Sequence, residues 1–218
     1  MLFGNFLIEA VDAFKYLGST VTRDDCIEEE INLRIASAAR CAWSLDGTLK
    51  SRLISKTTKT LIYKTIIRPI LIYGCETWRM TKLLQDRMSV YERSVLRRIW
   101  GPIVDADTGE LRRLHNDELM QRAKIPPIAC VISAHRLRWA GHVARMGDER
   151  TPLQVMEGNP VGRRPLGRPR KRWRDSLKED LQRIGIRHEG WQQQAQDRSR
   201  WRQTVRAAKE HPGPAPPE

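Results

Sequence analysis

The sequence predicts a mainly α-helical protein: a helical bundle with a short N-terminal β-hairpin, a flexible linker rich in Arg, Gly and Pro, and further C-terminal helices. Three observations lead to this prediction. Apolar residues recur at helical spacing along most of the chain, and Gly or Pro separates the helical segments. Aromatic and β-branched residues typical of strands cluster around a glycine only near the N-terminus. With 218 residues, the chain can bury a core without disulfides or metals.

The segment from Ala13 to Thr22 is predicted to form the hairpin, because aromatic and β-branched residues flank Gly18. A first helix is predicted from about Ile27 to Leu45, where apolar residues repeat every three or four positions. Three acids, Glu28 to Glu30, lie in its first turn, where negative charge interacts favourably with the helix dipole.

A second helix is predicted from its N-cap Ser55 to Tyr73, ending before Gly74. Apolar side chains surround almost the whole helix, so we expect it to lie at the centre of the core. Pro69 is expected to bend it. The apolar residues are Leu61, Ile62, Ile66, Ile67, Ile70 and Leu71.

Three more helices are predicted in the middle of the chain. Thr81 is the expected N-cap of the first, which ends at Gly101-Pro102, and Asn116 is the expected N-cap of a short helix that ends near Lys124. The third runs from Ile128 to Met146. The expected inward residues are Leu84, Met88, Tyr91, Val95 and Ile99 on the first, and Ile128, Ile132, His135, Trp139, His142, Val143 and Met146 on the third.

Gly and Pro interrupt the chain at residues 157–171, which we interpret as a flexible basic linker. Helices are predicted after it, from about Arg172 to Ile184 and from Trp191 to Ala208, followed by a disordered Pro-rich tail. The predicted organisation is residues 1–24 for the β segment, 25–156 for the helical region, 157–171 for the linker, 172–210 for the C-terminal helices and 211–218 for the tail.

Positive charge is concentrated in the second half of the chain. The net charge is +13, of which residues 1–110 contribute +2 and residues 111–218 contribute +11. Arg outnumbers Lys by 29 to 10, and the planar guanidinium group binds phosphates in a bidentate manner. The balance favours a polyanionic partner such as nucleic acid, although a basic surface without a partner would have the same composition.

The strongest local signal is the segment from Arg163 to Arg174, in which seven of twelve residues are basic and none is acidic. We predict that it binds phosphates. Its Gly-Arg-Pro sequence also resembles an AT-hook core that reads the minor groove, although Leu166 replaces the first Arg, and its basic run resembles a nuclear-import signal. A solvated linker is the alternative. The basic residues are Arg163, Arg164, Arg168, Arg170, Lys171, Arg172 and Arg174.

No catalytic residue, metal ligand, cofactor or small-molecule substrate is predicted. Asp24 and Asp25 precede a helix, where acidic residues commonly stabilise the N-terminus. His135 and His142 are seven residues apart, whereas zinc-binding histidines on one helix are usually three or four apart, so both are expected to pack. The four cysteines are expected to be reduced, and neither secretion nor a membrane span is expected.

Several segments, in this order, resemble the region behind the catalytic core of non-LTR (LINE-type) retrotransposon reverse transcriptases. The resemblance extends from about Val11 to Ile184. It rests on FKYLGSTV (Phe14 to Val21), EEINLRIASAARCAW (Glu29 to Trp43), SKTTKTLIYKTIIRPILIYGCETW (Ser55 to Trp78), HRLRWAGHVARM (His135 to Met146) and GRPRKRWRDSLKEDL (Gly167 to Leu181).

The resemblance implies that residues 1–24 correspond to the end of the palm and that the bundle is thumb-like. Tyr16, Leu17 and Gly18 would then contact a primer–template duplex. The family's catalytic aspartates precede this YLG segment, whereas Asp24 and Asp25 follow it. The fingers, the metal-binding palm and the endonuclease domain are therefore expected to be absent.

We therefore expect a non-catalytic, nucleic-acid-binding remnant located in the nucleus or cytoplasm, with either RNA or DNA as its partner. One alternative is RNA-directed DNA polymerase activity, as in the parent family, against which the missing carboxylates argue. The other is a helical relic or interaction module without a selected activity. Apolar stripes that would pack on a palm are expected to promote self-association.

Overall fold

The computed structural model describes residues 2–3, 6–7, 10–24, 26–105, 108–158 and 171–210. It confirms the mainly α-helical fold class, with short antiparallel hairpins as the only sheets in these ranges. The elements in order are β1 (Leu2–Phe3), β2 (Phe6–Leu7), β3 (Ala13–Tyr16), β4 (Ser19–Thr22), α1 (Ile27–Ser44), α2 (Asp46–Lys50), α3 (Lys56–Ile62), a π-helical turn (Tyr63–Ile67), α4 (Arg68–Leu71), a 3₁₀ turn (Cys75–Thr77), α5 (Lys82–Trp100), β5 (Ile103–Val104), β6 (Leu111–Arg112), α6 (Asn116–Ala123), α7 (Ile128–Val143), α8 (Thr151–Glu157), α9 (Trp173–Arg183), α10 (Trp191–Gln196) and α11 (Arg198–Glu210).

The predicted N-terminal hairpin is confirmed as β3 and β4, which pair in register from Ala13 opposite Thr22 to Tyr16 opposite Ser19. The connecting residues Leu17 and Gly18 both have positive φ angles, of 47° and 86°. This left-handed pair matches the tight two-residue turn that the twist of antiparallel strands favours. The hairpin packs on α1.

The predicted second helix is divided into α3, a π-helical turn and α4. The hydroxyl of Ser55 accepts a hydrogen bond from the amide of Thr58 at 3.1 Å, which confirms the N-cap. Pro69 has no amide hydrogen to continue the α-helical ladder, and the wider π turn lies immediately before α4. The central position predicted for Ile66 is wrong, because this side chain is 45% exposed while the next residue, Ile67, is buried.

The larger hydrophobic core lies between α1, the π-helical turn, α4, α5, α6 and the start of α7, and it includes the predicted stripe of α5. The buried carboxylate of Glu92 contacts this core and binds groups from three elements. Glu92 accepts hydrogen bonds from the Tyr63 hydroxyl and the Ile128 amide, both at 2.9 Å, and forms an ion pair with Arg68 at 3.1 Å. Arg68 also donates to the carbonyl oxygen of Pro126. Burial raises the pKa of Glu92, whereas these partners lower it.

A second core joins α7 to α9, α10 and α11. Helix α7 contacts both cores, so nearly its whole circumference is buried. The inward face predicted for its second half is therefore wrong at two positions: His142 is exposed and Trp139 is 36% exposed, whereas Leu137 and Ala140 are fully buried. The predicted burial of Val143 is confirmed. No helix in the described part of the chain is long and apolar enough to span a bilayer.

Two predicted helix boundaries are also wrong. The last helix is interrupted at Asp197, whose carboxylate accepts hydrogen bonds from the Ser199 and Arg200 amides at 2.8 and 3.1 Å and so begins α11. At α6 the N-cap is His115 rather than Asn116. The amide of His115 donates to the carboxylate of Glu118 at 2.9 Å. The predicted linker, residues 157–171, lies outside the described residues except for Glu157, Gly158 and Lys171, and the predicted tail, residues 211–218, lies outside them entirely.

Helices α7 and α11 pack closely because Gly141 has no side chain. A Cβ atom at this position would lie 2.0 Å from Nε1 of Trp201, which donates to the carbonyl oxygen of Leu137 at 2.9 Å. We expect Gly141→Ala to lower the free energy of unfolding by about 1–3 kcal/mol, since overpacking forces these helices apart. Urea unfolding followed by circular dichroism measures the change.

Gly47 in α2 is the matched control, because a Cβ atom there would have no neighbour within 4 Å. Gly47→Ala should leave the stability unchanged or raise it by up to about 1 kcal/mol, because alanine restricts the unfolded chain. An unfolding midpoint for Gly141→Ala equal to that of Gly47→Ala would contradict the packing described for α7 and α11.

Candidate nucleic-acid interface

The predicted hairpin residues Tyr16, Leu17 and Gly18 are held in place through their backbone. The Tyr73 hydroxyl donates to the carbonyl oxygen of Leu17 at 2.8 Å, and Arg34 donates to that of Gly18 at 2.5 Å. The side chains of Tyr16 and Leu17 are exposed. The turn is thus fixed on α1 with its side chains accessible to a partner, as a contact site requires.

The predicted basic segment is only partly described. Arg163, Arg164, Arg168 and Arg170 lie outside the described residues, so their phosphate contacts stay a prediction. The other three basic residues of the segment are Lys171, Arg172 and Arg174.

Those three residues differ in how free they are to bind an anion. Lys171 forms an ion pair with Glu179 at 2.5 Å, and Arg174 donates to the carbonyl oxygen of Gly158 at 3.2 Å. Arg172 is exposed, and within the described ranges its guanidinium has no ion pair. No hydrogen bond or ion pair between described residues joins these three to the hairpin turn.

The structure reveals a basic groove that the sequence analysis missed. It lies between α7 and α11, with a volume of about 680 Å³ and a floor that includes Val131, Ala134, Trp201 and Val205. No acidic residue is among the described residues that line it. We call this surface the α7–α11 groove; its basic lining residues are His135, Arg138, His142 and Arg145 of α7 and the turn after it, and Arg198, Arg202, Arg206 and Lys209 of α11.

The basic residues of α11 follow one face of the helix. Arg198, Arg202 and Arg206 are four residues apart and Lys209 follows after three, so the row spans about 16 Å at the rise of an α-helix. Because Gly141 and Trp201 bring the two helices into close contact, this row faces the basic residues of α7.

Several of these arginines form no ion pair with another described residue. Among the described residues, Arg138, Arg198 and Arg202 are exposed and form no ion pair. Arg145 donates to the carbonyl oxygen of Ala195 at 2.6 Å, and burial together with Arg198 and Arg202 lowers its pKa. Arg206 pairs with Glu210, but both side chains are largely exposed. Like charges concentrated in this way indicate a site for a polyanion.

The spacing of basic residues was the signal that would have revealed the groove. The apolar period predicts the last helix, and the net charge of each half of the chain predicts only which half is basic. The recurrence of Arg at 198, 202 and 206 would have placed the positive charge on one helical face. The contact of this face with α7 depends on tertiary packing, and the spacing of residues in the sequence does not predict that contact.

Comparison with known proteins adds evidence on origin. The chain is similar to a transposon-derived protein. This relative, from Caenorhabditis elegans, is 29% identical over 206 residues, which cover 91% of this chain and 72% of the relative. No protein family and no solved structure among those compared matches the chain. This similarity agrees with the transposon origin that the sequence resemblance implies. It does not test whether the origin is a reverse transcriptase.

The acidic residues of the chain do not form a two-metal site within the described ranges. Asp24 lines a cleft with Glu28 and Glu29, opposite Arg79 and Lys171, and Asp25 lies outside the described residues. Among the residues that the structure describes, no three carboxylates have oxygens close enough to share a metal ion.

Proposed function

We propose that the chain is a non-catalytic, nucleic-acid-binding remnant of a LINE-type reverse transcriptase that contacts RNA or DNA phosphates through Arg-rich surfaces. The observation that carries the proposal is the α7–α11 groove, with its aligned cations and no acidic residue among the described residues that line it. The similarity to a transposon-derived protein supports the origin. The resemblance of the YLG and GHVARM segments supports the parent family.

The dimensions of the groove suit a phosphate backbone. Successive phosphates on one strand of B-form DNA rise about 3.4 Å along the axis, so a row of about 16 Å has the axial length of about five of them. Guanidinium groups bind phosphate oxygens in a bidentate manner, which explains why Arg predominates. Phosphate contacts carry no sequence information, so the groove should bind different sequences alike.

The basic segment from Arg163 to Arg174 and the turn formed by Tyr16, Leu17 and Gly18 are proposed as additional contacts. The seven cations of the segment would add about four to six phosphate contacts if they all bound. If the helical bundle corresponds to the thumb of a reverse transcriptase, the hairpin turn would lie against the primer–template duplex.

The salt dependence of binding tests this proposal. Fluorescence anisotropy with 20-nucleotide duplex DNA, single-stranded DNA and RNA should give a slope of log K against log salt of about −4 or steeper for the duplex. Heparin should compete. A slope near zero, or equal affinity for an uncharged backbone analogue, would contradict binding through phosphates.

The polymerase alternative is tested by primer extension on an RNA template with Mg²⁺ or Mn²⁺. We expect no incorporation above a blank, because no carboxylate cluster is predicted to hold two metal ions. Incorporation that disappears when Asp24 and Asp25 are changed to Asn would favour the enzyme instead.

A further inference from the structure

Cys75, Glu76 and His135 bring three different metal-ligating groups to one place. The thiol sulfur, a carboxylate oxygen and an imidazole nitrogen all lie within 4.8 Å of one another. Cys75 and Glu76 belong to the 3₁₀ turn and His135 belongs to α7, two elements that are in extensive contact. The cluster therefore joins distant parts of the sequence.

These side chains are not committed to other partners. Cys75 is fully buried, and neither the Glu76 carboxylate nor the His135 imidazole forms a hydrogen bond or ion pair with another described residue. The backbone around them is fixed, because the indole nitrogen of Trp173 donates to the carbonyl oxygen of Glu76 at 2.8 Å. Three ligand-type groups thus converge at a rigid position without satisfying one another.

We propose that Cys75, Glu76 and His135 bind one zinc ion. Thiolate, carboxylate and neutral imidazole are the protein ligands of zinc, and three of them leave the fourth tetrahedral position for water. Ligand atoms around tetrahedral zinc are about 3.5 Å apart, so distances of up to 4.8 Å within the cluster have to shorten by at most about 1.3 Å. Glu76 and His135 are only half-buried, and their side chains have room to make this adjustment.

The protonation state of His135 suits this role, whereas the Cys75 thiol has to lose its proton when zinc binds. Burial, with a further contribution from Arg138, lowers the pKa of His135, so the imidazole is neutral and free to bind a metal. Burial raises the pKa of Cys75 to about 12, so zinc binding would release the thiol proton to solvent. The resulting thiolate and the carboxylate of Glu76 together offset the charge of Zn²⁺ beside Arg136.

The position of these ligands on two different elements explains why the spacing of histidines on one helix gave no sign of a metal site. His135 and His142 are too far apart on α7 to share an ion, but the partners of His135 come from another element. Because His135 also lines the α7–α11 groove, the ion would fix one wall of that groove. The inference rests on the cluster itself and does not depend on nucleic-acid binding.

Metal analysis of the full chain tests the site. After removal of metals with a chelator, the chain should take up one zinc ion per molecule on dialysis against Zn²⁺. Co²⁺ in its place should give a thiolate-to-metal absorption band, which reports the bond to Cys75. Zinc should also raise the melting temperature.

Variants assign the ligands. Loss of a residue that only supports a zinc ligand weakens binding by about 10–100-fold. Glu76→Gln and His135→Asn each remove a ligand, so each should weaken zinc binding by more than this. Both variants should also abolish the rise in melting temperature. Cys75→Ser should remove the cobalt absorption band. If this substitution at a buried position unfolds the chain, the zinc affinities of Glu76→Gln and His135→Asn test the site instead.

His188→Asn and Cys41→Ser are the matched controls, because they remove the same chemical groups outside the cluster and outside the α7–α11 groove, and both should bind zinc like the parent chain. No uptake by the parent chain would overturn the proposal. So would equal affinity in folded Glu76→Gln and His135→Asn variants.

Discussion

Replacing Glu92 with alanine should lower the free energy of unfolding by about 3–5 kcal/mol, the cost of breaking a buried ion pair by removing one partner. Glu92 is 2% exposed and compensates the charge of Arg68, which is 3% exposed. Its removal leaves the Arg68 guanidinium charged and buried. The Ile128 amide and the Tyr63 hydroxyl also lose their acceptor.

The measurement is urea unfolding of the purified chain, with Glu28→Ala as the control. Glu28 pairs with Arg87 at 2.5 Å, but both side chains are more than a third exposed, and pairs of this kind contribute about 0–1 kcal/mol. A Glu92→Ala variant that unfolds within about 1 kcal/mol of the parent would contradict the role of this carboxylate in joining α4, α5 and α7.

Removing three groove arginines should weaken nucleic-acid binding by about 100-fold or more at 0.1 M salt. The variant changes Arg138, Arg198 and Arg202 to Ser, and these side chains are exposed and form no ion pair with a described residue. Each lost phosphate contact should reduce the magnitude of the salt slope by about 1. The melting temperature should be unchanged or higher, because like charges are removed.

The matched control loses the same net charge elsewhere. Arg40, Arg52 and Arg187 are also exposed, lie outside the groove and pair with no described acid. Their change to Ser should weaken binding only slightly, through the reduced net charge. Equal losses in the two triple variants would show that total charge, rather than the groove, determines binding.

A Ser variant of the basic segment separates its contribution from that of the groove. Changing Arg163, Arg164, Arg168, Arg170, Lys171, Arg172 and Arg174 to Ser should flatten the salt slope for all sequences alike. A loss confined to A·T-rich duplex would instead favour minor-groove reading by the Gly-Arg-Pro core.

Local signals predicted much of the fold. The hairpin followed from strand-forming residues around Gly18, and α5 followed from its N-cap Thr81 and a regular apolar stripe. Both depend on interactions between residues close in sequence, which is why the structure agrees with them. The π turn before α4 is different. Its wider period turns Ile66 outward, in a helix whose apolar side chains on almost every side predict a central position in the core.

Tertiary packing determined what the sequence could not predict. Helix α7 contacts two cores, so a single inward face is the wrong description of it. The groove and the Cys75, Glu76 and His135 cluster both join residues that are far apart in the chain. Composition predicted a basic partner surface in the second half, but its position depends on the contact of α7 with α11.

Arginine footprinting tests the central claim most directly. The chain is treated with an arginine-selective dicarbonyl reagent with and without duplex DNA, and the modified peptides are quantified by mass spectrometry. We predict that DNA protects Arg138, Arg198 and Arg202 at low salt and that high salt removes the protection. Arg40 and Arg52 should react equally in both samples. Groove arginines that react to the same extent with and without bound DNA would contradict the account.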